Sequence, residues 1–190
     1  MKKVRPFFTL LLLLTASSWC AAQAPKPGGE ITVAKVLSNS VNHVQFTLSP
    51  LADAMPDDKY GFAPTSGEFK GVRTFGEQLK HIGATNFAFA SAILGEKPPA
   101  DVGEEDNGPE SLKTKKEIVK YLSDSFTYVQ KAVATIDAKN VVSPIKSPFG
   151  AGETTRLAMT TLIIGHCFDH YGQMVEYLRM NGIVPPASQR

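Results

Sequence analysis

The chain has 190 residues, of which 43% are hydrophobic and 20% are charged. This composition fits one globular domain with a hydrophobic core, and it excludes a disordered chain and a multi-domain enzyme. The formal net charge of +2 comes from basic residues in the first five positions, and the remaining chain carries 17 basic and 18 acidic residues. We therefore expect no nucleic-acid partner.

Residues 1–24 are predicted to be a secretory signal peptide, and residues 25–190 are predicted to be the mature domain. A basic start is followed by an apolar run over residues 7–14 and by small residues up to position 24, an order that is typical of signal peptides. The apolar run is too short to span a bilayer, which favours cleavage over a retained anchor. We expect a secreted or periplasmic protein without a stable membrane anchor, and with a mature N-terminus between Ala21 and Lys26.

The first two predicted helices cover residues 31–55 and 74–94, where apolar residues recur three or four positions apart. Pro50 is expected to kink or end the last turn of the first helix. The second helix begins with Thr74 and Glu77 in a capping-box pattern. It is expected to stop at Gly95.

The third and fourth predicted helices cover residues 114–137 and 153–181. A second capping box, formed by Thr114 and Glu117, marks the start of the third helix, and Gly182 marks the end of the fourth. No alternation typical of strands is comparably persistent. The fold class is therefore all-α, a four-helix bundle with long inter-helix connections, which suggest crossovers or caps over one end of the bundle.

Three of the four histidines in the chain are candidate metal ligands. His166 and His170 lie one helical turn apart on one face, a spacing at which two imidazoles can reach one ion at about 2.0–2.1 Å. His81 occupies a similar position beside the apolar row of the second helix. Inward histidines from two helices can build a metal site in a bundle. The alternative is that each ring is a buried histidine with a hydrogen-bonded partner.

Three segments of the chain resemble the DinB/YfiT-like family of metal-binding four-helix bundles. They are MPDDKYGFAPT, RTFGEQLKHIGATNFAFASAILGEKPP and GHCFDHYGQMVEYLRMNGIVPPAS, and the similarity extends over about residues 31–188. The resemblance implies that His81, His166 and His170 bind one divalent metal ion, with solvent or substrate completing the coordination. Imidazole ligands suit zinc, nickel or iron, so the sequence leaves the metal open.

Several neighbours of the histidines have two interpretations. His43 could be a fourth ligand, although a surface position is favoured, and Cys167 is expected to be buried in the core. Asp169 and the acidic run over residues 104–106 are expected to be solvated. The remaining polar neighbours either line a cavity beside the histidines or pack between helices, and they are Asn86, Gln173 and Tyr177.

Two functions follow from this pattern. The first is an exported metal-dependent hydrolase or transferase that acts on a small molecule. Some members of the resembled family use a low-molecular-weight thiol, which is less available outside the cytoplasm, so export weakens the transferase interpretation. The second is a non-catalytic, metal-containing module that binds a small ligand or acts in a stress response, with a bundle face for homodimer contacts. Tyr177 and His43 are the candidates for a general base.

Overall fold

Four α-helices make up most of residues 31–67 and 70–189, which are the residues that the computed structural model describes. They are α1 (Val33–Ala54), α2 (Phe75–Leu94), α3 (Lys115–Val133) and α4 (Arg156–Met180). This arrangement confirms the predicted all-α fold class. The predicted signal peptide over residues 1–24 lies outside the described residues. None of the helices in the described part of the chain has both the length and the apolarity that a membrane crossing needs.

The ends of the helices follow the local chemistry predicted for them. The Thr74 hydroxyl accepts a hydrogen bond from the backbone N–H of Glu77, and the Glu77 carboxylate accepts one from the backbone N–H of Thr74 at 2.8 Å. An equivalent capping box begins α3. Gly95 and Gly182 follow α2 and α4 with φ of +72°, a left-handed conformation that glycine adopts without a steric penalty.

α1 covers Val33–Ala54, which confirms its predicted extent to within two residues, but the helix does not end at Pro50. Pro50 is exposed, while Leu51 and Ala52 after it are fully buried. Packing of that last turn offsets the hydrogen bond that proline cannot donate. α3 ends at Val133 rather than at residue 137.

The connection between α3 and α4 contains a β-hairpin that the sequence did not predict. Strand β1 (Pro144–Lys146) pairs antiparallel with β2 (Glu153–Thr155), and Ile145 lies opposite Thr154. The predicted start of α4 at residue 153 is therefore wrong, since residues 153–155 belong to a strand. Strands of three residues are too short to show a persistent alternation of apolar and polar side chains.

The connection between α2 and α3 is a crossover, as its length suggested. Asn86 bonds Ser125 and Ser91 bonds Tyr128, so residue numbers rise together along the two helices and α2 runs parallel to α3. The chain between them, residues 95–114, must return along the bundle before α3 begins. This return carries residues 103–108 past the N-terminal half of α2.

α2 packs against α3 and α4, and α1 packs against the same two helices. Gln78 bonds Gln173, and His81 contacts His166, so α2 and α4 run antiparallel. All four helices contribute fully buried apolar side chains to one core. The histidines of α2 and α4 therefore face each other beside that core.

Candidate metal centre

The imidazole rings of His81, His166 and His170 converge on one point between α2 and α4. The Nε2 atoms of His81 and His166 are 3.1 Å apart, and those of His170 and His166 are 3.0 Å apart. The ligand atoms of all three rings lie within 4.8 Å of one another. The structure thus brings together the three side chains that the sequence singled out. The hydrogen bond that each Nδ1 makes determines the tautomer of its ring, and the tautomer determines whether Nε2 can bind a cation.

His81 presents its Nε2 lone pair to the cluster. Its Nδ1 lies 2.7 Å from the backbone oxygen of Asp106 in the crossover. A carbonyl oxygen only accepts hydrogen bonds, so Nδ1 carries the proton and donates it. In a neutral ring the other nitrogen, Nε2, is then unprotonated.

His170 is held in the same tautomer by a chain of side chains that starts at Asp169. The Asp169 carboxylate accepts a hydrogen bond from Nε2 of Gln173 at 3.0 Å, and Oε1 of Gln173 accepts one from Nε2 of Gln78 at 2.8 Å. Because the Gln78 nitrogen points to Gln173, its side-chain oxygen, Oε1, faces His170 and accepts a hydrogen bond from Nδ1 of that ring. This leaves Nε2 of His170 as a lone pair.

His166 completes the set through Thr85. The Thr85 hydroxyl lies 3.0 Å from the backbone oxygen of His81 and 3.1 Å from that of Ile82, and it donates its single proton to them. Its oxygen lies 3.3 Å from Nδ1 of His166 and accepts a hydrogen bond from it. Nε2 of His166 is again the unprotonated nitrogen.

The hydrogen-bond pattern thus directs three lone pairs at one point, where they repel one another unless a cation lies between them. Two bonds of 2.0–2.1 Å that subtend a tetrahedral or octahedral angle place their nitrogens about 2.8–3.4 Å apart. The observed separations of 3.1 and 3.0 Å are within that range. The donor set and its spacing therefore fit a divalent metal ion.

The surroundings also keep the rings neutral. Burial lowers the pKa of His166 to about 4, and the neighbouring His81 adds to this effect. Burial is likewise the main reason why the pKa of His170 falls to about 3. The pKa of His81 is lowered by burial as well. Neutral imidazole is the form that binds metal ions.

A strained turn in the crossover positions the carbonyl group that His81 uses. Glu105 and Asp106 have φ of +50° and +56°, a left-handed conformation that is uncommon for residues other than glycine. Close packing holds the turn, because a Cβ on Gly103 would lie 2.2 Å from the backbone oxygen of Gly108. The acidic run therefore serves the site through a main-chain oxygen, although it was expected to be only a solvated surface.

The cluster borders a cavity of about 420 Å³, whose lining includes His170, Gln78, Gln173, Arg73, Glu105 and Asn107. Phe89 packs against the cluster, with its ring centroid 6.2 Å from that of His166, and it does not line this cavity. A second cavity of about 1160 Å³ lies between the C-terminal half of α2 and the hairpin, and none of the three histidines lines it. The smaller cavity is the one that gives access to the cluster.

Two polar neighbours of the histidines belong to the core instead. Cys167 is fully buried, which agrees with its prediction, and burial raises the pKa of its thiol to about 12. Its sulfur lies 3.6 Å from Oδ1 of Asn86, whose amide donates to Ser125 at 3.1 Å. Neither Cys167 nor Asn86 is directed at the cluster.

The two general-base candidates are also engaged elsewhere. His43 is exposed on α1, and its ring centroid lies 6.1 Å from that of Phe168. Tyr177 is buried and donates to the backbone oxygen of Arg73 at 3.1 Å. Of Asn86, Gln173 and Tyr177, only Gln173 lines the cavity. The exposed carboxylate of Asp169 orients the Gln173 side chain.

Sequence reasoning missed Gln78 and Asp106, which accept hydrogen bonds from the rings, and Arg73, which lines the cavity. Gln78 was visible on the same helical side as His81, but its hydrogen bond to His170 joins residues 92 positions apart. The contact of Asp106 with His81 depends on the course of the crossover, which no local pattern encodes. Arg73 offered no signal beyond its position before the cap of α2.

Four helices with a histidine cluster between α2 and α4 define a bundle protein with a candidate metal centre. The family model described as the DinB superfamily matches residues 42–174. The chain therefore belongs to the DinB superfamily.

Two crystal structures of DinB-like proteins resemble the fold. The protein from Bacillus cereus ATCC 10987 has a TM-score of 0.66 and 17% sequence identity, over 82% of this chain and 96% of its own. The protein from Bacillus subtilis has a TM-score of 0.59 and 16% identity, over 82% of this chain and 99% of its own. No curated protein matches the sequence.

Proposed function

We propose that this protein is an exported metalloenzyme in which His81, His166 and His170 bind one divalent ion, and that it acts as a metal-dependent hydrolase or transferase on a small molecule. The observation that carries the proposal is the convergence of three unprotonated Nε2 atoms. Each is fixed by a separate hydrogen bond at Nδ1, to Asp106, Thr85 or Gln78. Zinc, nickel and iron all suit such ligands.

The number of protein ligands supports a reactive rather than a structural site. Within residues 31–67 and 70–189, no fourth His, Cys, Asp or Glu side chain joins the group of three histidines. Structural zinc sites have four protein ligands, whereas catalytic ones have three and leave a position open. The cavity beside His170 gives a small molecule a route to such a position.

The residues around the site orient the three imidazole rings and exclude water from them. When bound, a divalent ion polarises a substrate oxygen and lowers the pKa of a coordinated water molecule. Gln78, Thr85 and the Asp106 carbonyl hold the three rings in one tautomer. The buried ring of Phe89 packs edge-to-face against His166 and covers part of it from water. Export through the predicted signal peptide favours hydrolysis over transfer to a cellular thiol.

Elemental mass spectrometry of the purified protein tests the metal site. We expect about one divalent ion per chain in the wild type. The double variant His166→Ala/His170→Ala should lose the ion and keep its helical circular dichroism, because α4 does not depend on these rings for its capping. His43→Ala is the matched control and should retain the ion, since His43 is exposed and lies outside the cluster. Retention of the ion by the double variant would contradict the proposal.

Turnover separates the proposed enzyme from the non-catalytic binding module. Metal-loaded protein is incubated with chromogenic ester, amide and phosphoester substrates, and separately with a thiol and an electrophilic acceptor. Activity that is present in His43→Ala and absent from the double variant supports the enzyme. A protein that binds the ion but turns over none of these compounds supports the binding module.

A further inference from the structure

We propose that Arg73 binds a negatively charged oxyanion group of the substrate, a carboxylate or a phosphate, beside the metal centre. The inference rests on the proposed function and specifies its substrate class. It assigns Arg73 as a specificity-determining residue that recognises a part of the substrate away from the reacting bond. Four features of the structure lead to it.

The first is the location of Arg73. The residue precedes Thr74, the N-cap of α2, and lines the same cavity of about 420 Å³ as His170. A molecule that reaches the histidines through this cavity therefore passes the guanidinium group.

The second feature is how Arg73 is held. Its Nε and Nη2 donate to Oδ1 of Asn107 at 2.9 and 2.7 Å, and its backbone oxygen accepts a hydrogen bond from Tyr177. These contacts hold the side chain and the backbone with neutral partners. A guanidinium has five N–H donors. Within residues 31–67 and 70–189 no acceptor pairs with Nη1 or with the second N–H of Nη2, so these groups can bind a ligand. A preoriented arginine loses less conformational freedom when it binds an oxyanion.

The third feature is the charge balance. Among residues 31–67 and 70–189, no carboxylate lies within the 4.0 Å ion-pair distance of Arg73. Glu105 lines the same cavity, but it is exposed and does not pair with Arg73. Arg73 thus places a positive charge in the cavity beside a site that would itself hold a divalent cation. Both charges attract an anion.

The fourth feature is the chemistry of arginine. Its planar fork matches the geometry of a carboxylate or a phosphate and forms two parallel charge-assisted hydrogen bonds. Lysine provides a point charge without that geometry. A substrate anchored in this way would place its oxyanion at Arg73 and its reacting group nearer to His170.

Cobalt-loaded protein tests the inference. Cobalt binding is measured first for the wild type and each variant, from the visible absorption of the ion. Failure of the wild type to bind cobalt overturns the proposed metal site, and this result is obtained before any anion is added. Inorganic phosphate, benzoate and neutral imidazole are then titrated, and the change in absorption gives each Kd.

For Arg73→Gln we expect the Kd of phosphate or benzoate to rise about tenfold or more, because hydrogen bonds between charged partners are lost. The Kd of imidazole should stay unchanged. Arg73→Lys should fall between the wild type and Arg73→Gln. Arg179→Gln is the matched control, because Arg179 is exposed and pairs with Glu176. It should bind all three compounds as the wild type does.

Two results would overturn the inference while leaving the metal site intact. One is that cobalt-loaded wild type binds neither phosphate nor benzoate. The other is that Arg73→Gln changes the binding of the anions and of imidazole equally. The latter result would mean that Arg73 only tethers the 103–108 turn through Asn107. The anion that shows the larger loss in Arg73→Gln identifies the class of group that the substrate carries.

Discussion

Replacement of Gln78 by leucine tests whether this side chain supports metal binding directly, and not only the packing of the bundle. Gln78 is buried, with 2% of its surface exposed, and its side-chain oxygen accepts the Nδ1 proton of His170. Leucine fills a similar volume but offers no acceptor, so the Nδ1 proton of His170 is left without a partner in a buried position. The tautomer of His170 with its proton on Nε2 then becomes more favourable. In that tautomer Nε2 has no lone pair for the metal.

The expected magnitude follows from these contacts. Loss of a partner that orients a metal-binding histidine typically weakens metal affinity about 10–100-fold, which corresponds to about 1.4–2.7 kcal/mol. Loss of the buried hydrogen bond between Gln78 and His170 should also destabilise the metal-free fold by about 1–3 kcal/mol. Gln78→Glu keeps an acceptor of the same length, and it should bind the metal at least as tightly as the wild type.

The assay is competition for zinc against a chromophoric chelator, with urea denaturation of the metal-free protein measured in parallel. Gln130→Leu is the matched control, since Gln130 also joins two helices, by hydrogen bonds to Ser38 and Asn42. It should lower the free energy of unfolding and leave zinc affinity unchanged. The reasoning is refuted if Gln78→Leu binds zinc as tightly as the wild type, or if Gln130→Leu weakens zinc binding equally.

Three further predictions concern acid stability, the crossover turn and export. Folded-state pKa values of about 4 for His166 and about 3 for His170 lie below the ordinary 6.5. The metal-free protein should therefore have its full stability above about pH 6.5 and lose it as the pH falls towards 4, by up to about 1.4 kcal/mol per pH unit for each histidine. Urea denaturation at several pH values should show a shallower loss for His166→Gln, and an equal slope would contradict the stated cause. Gly108→Ala places a Cβ 2.9 Å from that of Lys80, so displacement of the turn should lower zinc affinity roughly tenfold. Gly95→Ala, which has a similar φ but no close contact, should affect only unfolding, and equal zinc affinities in the two variants would count against the role of the turn. N-terminal sequencing of the exported protein should find a start between Ala21 and Lys26, and intact Met1 on periplasmic protein would disprove cleavage.

The parts of the fold that sequence reasoning predicted correctly are those with strong local signals. Each capping box joins residues three positions apart, so both of its hydrogen bonds can be predicted from one short segment. The helix at Pro50 shows the limit of such reasoning, because burial of Leu51 and Ala52 outweighs a local preference. The hairpin shows a second limit, since its pairing depends on how the 134–155 connection returns to α4.

The candidate site divides in the same way. The i, i+4 spacing of His166 and His170 was visible in the sequence, and any helix of this sequence places them on one face. The contact of His81 with His166 joins residues 85 positions apart. The tautomers depend on still other partners, including the main-chain oxygen of Asp106. Every residue has such an oxygen, so residue type does not show which one accepts the hydrogen bond.

The sequence alone determined that four helices form, where each lies to within a few residues, and that two imidazoles share a helical face, because interactions within one or two turns decide most of these features. Tertiary structure decided that a third ring meets them and that every Nε2 faces inward. Those outcomes require the antiparallel packing of α2 on α4 and a crossover that passes His81. The free energy for both comes from burial of the common core, which no short stretch of the chain contains by itself.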